Sequence, residues 1–315
     1  MTYWLYRTLA LLPLPIKYGL SSMAAWLLGT VFRYRARVVA NNLRNAFPEQ
    51  SEQWRKAVAQ RFYRQFTDVT MEILHTSRMS LDDFAKRVTV GGIDELDRLS
   101  ENRTRSVIVL TIHQGNWEWM MHAANAHTGI AIDPVYRRLH SPGADRFAYE
   151  ARSQFGGQPI LMEKVARNVL KHRRRCRALV LVADQSPGQR DNIYWTQWLN
   201  QPTAFFTGPA TIAQLTQFPV MFARCRRESR GHYHLQLMPI IEVPGQATPR
   251  RLSKLMLASR RNRSGRNLRA FCGPTVAGNT NRPMTSPDTY ALAAASGTIF
   301  LRSTSTHLKP LSCVA

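Results

Sequence analysis

The chain has 315 residues, enough to bury a sizeable core, with 43 Lys and Arg against 20 Asp and Glu and a formal charge of +23. Such a balance calls for an anionic partner, whether nucleic acid, a membrane surface or an acidic protein; no zinc-finger, helix-turn-helix or RNA-binding aromatic signature occurs, which argues against nucleic acid. The four cysteines, Cys176, Cys225, Cys272 and Cys313, form no Cys-x-x-Cys pair, so they give neither a disulfide framework nor a zinc ribbon and fit a reducing compartment.

Residues 1–33 are rich in Leu, Trp, Tyr and Ala, but Arg7, Pro13, Pro15 and Lys17 interrupt every apolar run short of the ~20 residues a spanning helix needs. The expectation is an N-terminal membrane-associated helix lying in the interface. Tyr3, Trp4, Tyr6 and Tyr18 suit that depth, and Arg33, Arg35 and Arg37 suit anionic headgroups on the cytoplasmic side. A cleaved signal peptide is disfavoured because Pro13 and Pro15 break its core; a buried globular helix is the alternative. Trp54, Val58, Phe62, Phe66, Val69 and Ile73 recur at helical spacing, which predicts a core-facing helix over 51–77 with Ser51 as N-cap. Residues 81–99 read as a short helix, a strand ending at Gly91-Gly92, and a second helix.

Val107–Ile112 is an unbroken β-branched apolar run, expected as a strand buried on both faces of a parallel sheet. His113 closes it at the edge where open α/β sheets hold ligands, and Gly115 permits a tight turn into a helix beginning near Asn116. Glu118 follows five residues after His113, so its carboxylate can fold back to hold one ring nitrogen and leave the other as a base. With no Ser or Cys nucleophile beside this pair, an acceptor hydroxyl would attack a thioester directly, which is acyl transfer. The plainer alternative is a His serving only its loop.

Ile130–Tyr136 reads as the next strand, closed by Arg137 and Arg138 on the same edge as His113, where guanidinium groups can pair with phosphate. A helix over 145–155 and a short strand over 158–161 follow. Residues 165–177 read as a strongly basic helix, either a solvated face or a docking patch. Ala178–Val182 is another apolar strand, ended by Asp184-Gln185. Residues 194–206 read as a polar-aromatic loop that packs or lines an acyl chain's entrance. A helix from Gly208 to Gln217 and strands over 219–223 and 232–239 complete the sheet.

The string His113-Gln-Gly115-Asn116-Trp117-Glu118-Trp119 carries the His-x4-Asp/Glu motif of the glycerolipid acyltransferases and resembles the late acyltransferases of lipid A biosynthesis with their lysophospholipid acyltransferase relatives. The resemblance runs over roughly 34–242. It includes Tyr34 to Pro48, Glu72 in the helix after it, Tyr136-Arg137-Arg138-Leu139, Ala183-Asp184-Gln185-Ser186-Pro187 and Phe205-Phe206-Thr207-Gly208-Pro209, in order and at the family's spacings; Arg138 departs from the commoner Pro. The resemblance implies a mixed, mostly parallel α/β sheet flanked by helices. It also implies an acyl thioester, most often on acyl carrier protein and otherwise on CoA, passed to a hydroxyl of a lipid A precursor at the cytoplasmic face of the inner membrane. His113 and Glu118 would be catalytic. Gly115, Asn116, Trp117, Arg137, Asp184, Gln185 and Gly208 would bind substrate, with Asn116, Arg137 and backbone N–H groups stabilising the oxyanion or holding lipid phosphate. No cofactor and no metal are called for. A lysophospholipid or a lyso-aminolipid such as an ornithine or glycine lipid is the rival acceptor, and a catalytically impaired membrane-binding module the rival of another class.

After Glu242 the chain has one acidic residue, Asp288, against eleven basic ones and no lasting period, so 243–315 is expected to be a disordered or out-of-frame tail beyond an acyltransferase domain at 34–242. Residues 262–269 and 272–282 admit codons that, read two nucleotides further on, spell Gln-Ile-Arg-Ala-Gln-Pro-Glu and Trp-Ala-His-Arg-Arg-Trp-Lys-Tyr-Lys, which resembles the family's closing signature. A single-base frameshift between about Ile241 and Asn262 would produce that pattern.

Overall fold

The computed structural model describes residues 1–184, 192–242 and 244–260. The apolar N-terminus is a broken pair of helices, α1 (Thr2–Leu11) and α2 (Leu14–Trp26), because Pro13 stops the first and Pro15 starts the second; α2 ends in a π-helical turn, Leu27–Val31. Among the described residues no helix is long and apolar enough to cross a membrane. The helix α2 is inside-out. Apart from Leu14, its buried side chains are polar: Lys17 Nζ meets His75 Nδ1 at 2.9 Å and Ser21 Oγ donates to Asp68 Oδ1 at 2.5 Å, while the half-buried Tyr18 hydroxyl donates to Glu72 Oε1 at 2.9 Å. Its outward residues Ile16, Met23 and Trp26 are exposed. Burial pushes Lys17 down to about 8 and His75 down to about 4, so the pair can meet without two full charges.

Helix α3 (Ala36–Ala46) packs on α4 (Glu52–His75), whose N-cap Ser51 accepts from Trp54 N at 3.1 Å as the sequence suggests. Then come α5 (Leu81–Arg87), β1 (Val88–Gly91), α6 (Ile93–Leu99), β2 (Val107–Thr111), α7 (Trp117–Thr128), β3 (Ile132–Tyr136), α8 (Pro142–Ser153), β4 (Ile160–Leu161), α9 (Val165–Lys171) and β5 (Ala178–Val182). A hairpin β6 (Ile193–Trp198) and β7 (Gln201–Phe206) precedes α10 (Gly208–Thr216), β8 (Val220–Ser229), β9 (His232–Ile241) and α11 (Pro249–Arg260).

The main sheet has the order β1-β9-β8-β2-β5-β3-β4, parallel throughout except for the β8–β9 pair. All five residues of β2 are buried. Val107 and Val109 face a core shared with Phe84, Leu96 and Trp119, while Ile108 and Leu110 face one shared with Val165, Ala213 and Leu252. Helices therefore cover both faces, which is why the strand reads as a continuous apolar run.

Three expectations change. The basic helix stops at Lys171, because Arg175 and Arg177 turn inward to the buried Asp133 of β3, at 3.1 and 2.9 Å. The aromatic stretch at 194–206 is a two-stranded hairpin rather than a loop. The start of the tail is a helix, α11, seated on the sheet through Leu252, 4% exposed, with Ala247 fully buried just before it. The stretches that carry the shifted-frame spelling, 262–269 and 272–282, lie outside the described residues, as does Gln185.

Candidate functional site

Parallel pairing brings the carboxyl ends of β2, β5 and β3 side by side, so the residues that follow each strand share one edge. His113 follows β2 and Asp184 follows β5. The Asp184 carboxylate accepts from the His113 backbone N–H at 3.0 Å through Oδ2 and stands 2.7 Å from Nδ1 through Oδ1. Its side chain is 2% exposed and that of His113 10%. A buried carboxylate gripping both the backbone and the ring fixes the imidazole's place and makes Nδ1 the N–H nitrogen, which gives proton acceptance to Nε2.

The role expected of Glu118, partner of the His113 ring, is thus filled by Asp184. Glu118 lies in the first turn of α7 and is buried, and its carboxylate receives Arg152 of α8: Nε at 3.1 and 3.0 Å and Nη2 at 2.5 Å. Burial by itself would raise this carboxyl; the Arg152 charge and hydrogen bonds override it and hold it below the ordinary range. Glu118 also accepts from Trp117 Nε1 at 3.2 Å, and the Trp117 ring meets the His113 ring edge-on, centroids 4.7 Å apart. Arg152, Glu118 and Trp117 form a rigid wall behind the imidazole. His122, one turn further along α7, stacks on Phe84 at 4.7 Å and is pushed down to about 4 by burial.

Asn116 is not aimed at a substrate. It is fully buried, its Oδ1 accepts from Trp119 N at 3.0 Å as the N-cap of α7, and its Nδ2 donates to Glu72 Oε2 at 2.9 Å. Oδ1 and one of the two Nδ2–H groups are thus engaged within the core, where the amide caps α7 and holds Glu72. Glu72 also takes the Tyr18 and Tyr233 hydroxyls, at 2.9 and 2.5 Å, and burial raises its carboxyl despite those three donors. Gly115 has φ +62°, and a Cβ there would run into Cys225 Sγ, so the turn requires glycine.

Arg137, exposed after β3, donates from Nε to Met162 Sδ at 3.3 Å and lies over the Phe206 ring, 5.1 Å from its centroid. The hairpin end thus reaches the edge that carries His113. Gly208 opens α10, and among the described residues no atom lies within 4 Å of a Cβ built on it. Among the described residues no cluster of three or more metal-ligating side chains occurs.

Sequence reading missed Arg152, one basic residue among 43 with no motif around it. Asp184 carried a signal, as a polar residue ending an apolar parallel strand, but its pairing with a residue 71 positions away did not. The family model described as bacterial lipid A biosynthesis acyltransferase matches residues 1–260. No curated protein matches the chain.

Proposed function

As the chain belongs to the bacterial lipid A biosynthesis acyltransferase family, we propose that it passes a fatty acyl chain from a thioester to a hydroxyl of a lipid A precursor. The observation that carries this reading is the His113–Asp184 pair at the carboxyl edge of the parallel strands. In the proposed step, His113 Nε2 takes the hydroxyl proton as the oxygen attacks the thioester carbonyl. The C–S bond then breaks, and the imidazolium returns the proton to the departing thiolate, giving an ester and a free thiol. Asp184 stabilises the imidazolium in between, and Arg137 is the candidate for developing negative charge or a lipid phosphate.

An apolar opening beside the site is a cavity of about 40 Å³ bordered by Trp117, Met120, Met121, Ala124, Ile130 and Val180, well short of the ~150 Å³ that admits a benzene ring, so an acyl chain would have to open the core there. It starts at the residue that touches His113. Full occupancy would need the two methionines to move, which their unbranched thioethers allow. The setting proposed is the cytoplasmic face of the inner membrane. Supporting this, Trp4, Leu5, Leu11, Ile16, Met23, Trp26 and Phe32 are all exposed on the N-terminal helices, followed by Arg33, Arg35 and Arg37. The donor proposed is acyl carrier protein, whose acidity suits a chain of charge +23.

The test is transfer from acyl carrier protein thioester to a phosphorylated disaccharide lipid, with products read by mass spectrometry. His113→Ala should lose on the order of 10²–10⁴-fold in rate while vesicle binding survives. A rate within a few-fold of wild type would sink the assignment.

A further inference from the structure

A second cleft lies away from the catalytic edge, between the end of α2, the π-helical turn, α3 and the first half of α4, with a volume of about 620 Å³. Its floor is apolar and narrow: Val39, Leu43 and Tyr63 are buried, and Ala25, Gly29 and Ala59 keep the walls low. Gly29 lies so close to the Tyr63 ring that a Cβ there would stand 2.9 Å from Cδ2. Its rim is cationic. Arg33, Arg44, Lys56 and Arg64 are exposed, and among the described residues none of the four has an ion-pair partner. Glu52 is the one acid in the lining, and Arg55 holds it at 3.3 Å. Arg55 is otherwise spent on the carbonyls of Phe47 and Gln50, at 3.2 and 2.6 Å.

Two features set this cleft apart from an ordinary basic surface. Arg33 and Arg35 adopt left-handed backbone, φ 47° and 53°, just after a π-helical turn; strained non-glycine residues and π-turns both concentrate at functional sites. Trp26, Val31 and Phe32 beside the mouth are exposed by 58, 50 and 69%, so the cleft opens at the level where these side chains would meet a bilayer. An acidic protein helix could use the rim cations but would leave the exposed Trp26, Val31 and Phe32 beside them without an apolar partner. A bulk anionic lipid needs only a flat basic face. A recess with an apolar floor and four uncompensated cations fits a compact phosphorylated headgroup whose chains stay in the membrane.

We propose that this cleft binds a phosphate of the acceptor lipid while the hydroxyl to be acylated reaches His113, an inference that rests on the acyltransfer reading above. The two places are joined through the core by α4. Tyr63 and Glu72 are nine residues apart on α4, roughly 13 Å at 1.5 Å per residue, and Glu72 is hydrogen-bonded to Asn116, three residues from His113.

The test compares the full-length protein with Arg44→Gln/Lys56→Gln/Arg64→Gln, three exposed side chains without an ion-pair partner among the described residues, whose loss should spare the fold. Binding is measured without donor to neutral phosphatidylcholine nanodiscs carrying the phosphorylated disaccharide acceptor, the same lipid stripped of phosphate, or phosphatidylglycerol. Acylation kinetics are measured in parallel. The triple variant should bind the phosphorylated acceptor about tenfold or more weakly and raise its KM alike, with kcat and binding of the stripped lipid unchanged. Equal binding by both proteins, an equal loss on phosphatidylglycerol, or a KM rise confined to the acyl carrier protein would each overturn the proposal. Selective binding without any transfer to a hydroxyl would support the cleft and remove the acyltransfer reading instead.

Discussion

Replacing Arg152 by Met should unfold this protein more readily than any surface charge change, and replacing Glu118 by Leu as well should restore most of the loss. Their side chains are only 10% and 8% exposed, and three hydrogen bonds join them. Breaking such a buried pair leaves a desolvated carboxylate and costs about 3–5 kcal/mol. At 2–4 °C per kcal/mol for a domain of this size, Tm should fall by roughly 6–20 °C. Without Arg152, burial would lift the Glu118 carboxyl above its unfolded value. A raised carboxyl contributes stability that is present below the unfolded pKa and lost as pH rises, so the variant's deficit should shrink towards pH 5. Urea denaturation of wild type, both single variants and the double variant at pH 7 and 5 reads the coupling. Additive single-variant losses, or a deficit that grows in acid, would refute the picture of Glu118 as an anchored wall.

Asp184→Asn should cost more transfer than Glu118→Gln per folded molecule, since Asp184 grips the imidazole; steady-state rates on matched folded fractions check the order. His122, held near 4 against an ordinary 6.5, is neutral in the fold while the unfolded chain takes up a proton, so stability should fall by about 2 kcal/mol from pH 7 to 5. His122→Asn should reduce that slope in denaturation curves, leaving the share of His75, which burial also pushes down to about 4, and an unchanged slope would exclude His122 as a source. Ala124→Leu should fill the cavity beside Trp117 and shift acylation towards shorter chains in a mixed-donor assay; an unchanged product profile would place the chain elsewhere. Binding to anionic vesicles should weaken as salt rises and weaken further once residues 1–37 are removed, because only the arginine contribution is screened. Salt-independent flotation would instead leave apolar insertion as the sole anchor.

Much of the fold was legible because its strands are apolar without alternation. The bounds of β5 match the sequence reading residue for residue, and β2 falls one short, at Thr111. Buried parallel strands need such runs, and caps such as Ser51 and Asn116 fix the helices beside them. What failed did so where a distant residue decides. The basic helix was read from its charges alone. Arg177 lies at the amino end of β5 with Asp133, 44 positions earlier, as its buried counter-charge, and that pairing outweighs helix propensity. The hairpin was hidden because Pro202 and a mixed pattern blur its alternation, and α11 because what seats it is β8, β9, the hairpin and α10 rather than its own period.

The site was legible to the same depth. His113, Gly115 and Asp184 could be placed on one edge because a strand's end is a local property. Which carboxylate meets the imidazole could not, because the choice depends on α8 delivering Arg152 to Glu118 from 34 positions away. Once that cation neutralises Glu118 inside the core, Asp184 is the carboxylate that meets Nδ1. The same logic explains Asn116. An amide beside the proposed base His113 looks like an oxyanion donor, yet the fully buried Glu72 needs a partner, and Asn116 is a donor that can also cap α7. Glu72 in turn holds Tyr18 of α2, so the helix whose outer face is apolar is tied by one carboxylate to the cap of the helix behind His113. Displacing α2 would therefore disturb the start of α7 and, through Arg230, which donates to Tyr18 O at 2.9 Å and Ser22 Oγ at 3.0 Å, the turn between β8 and β9 as well.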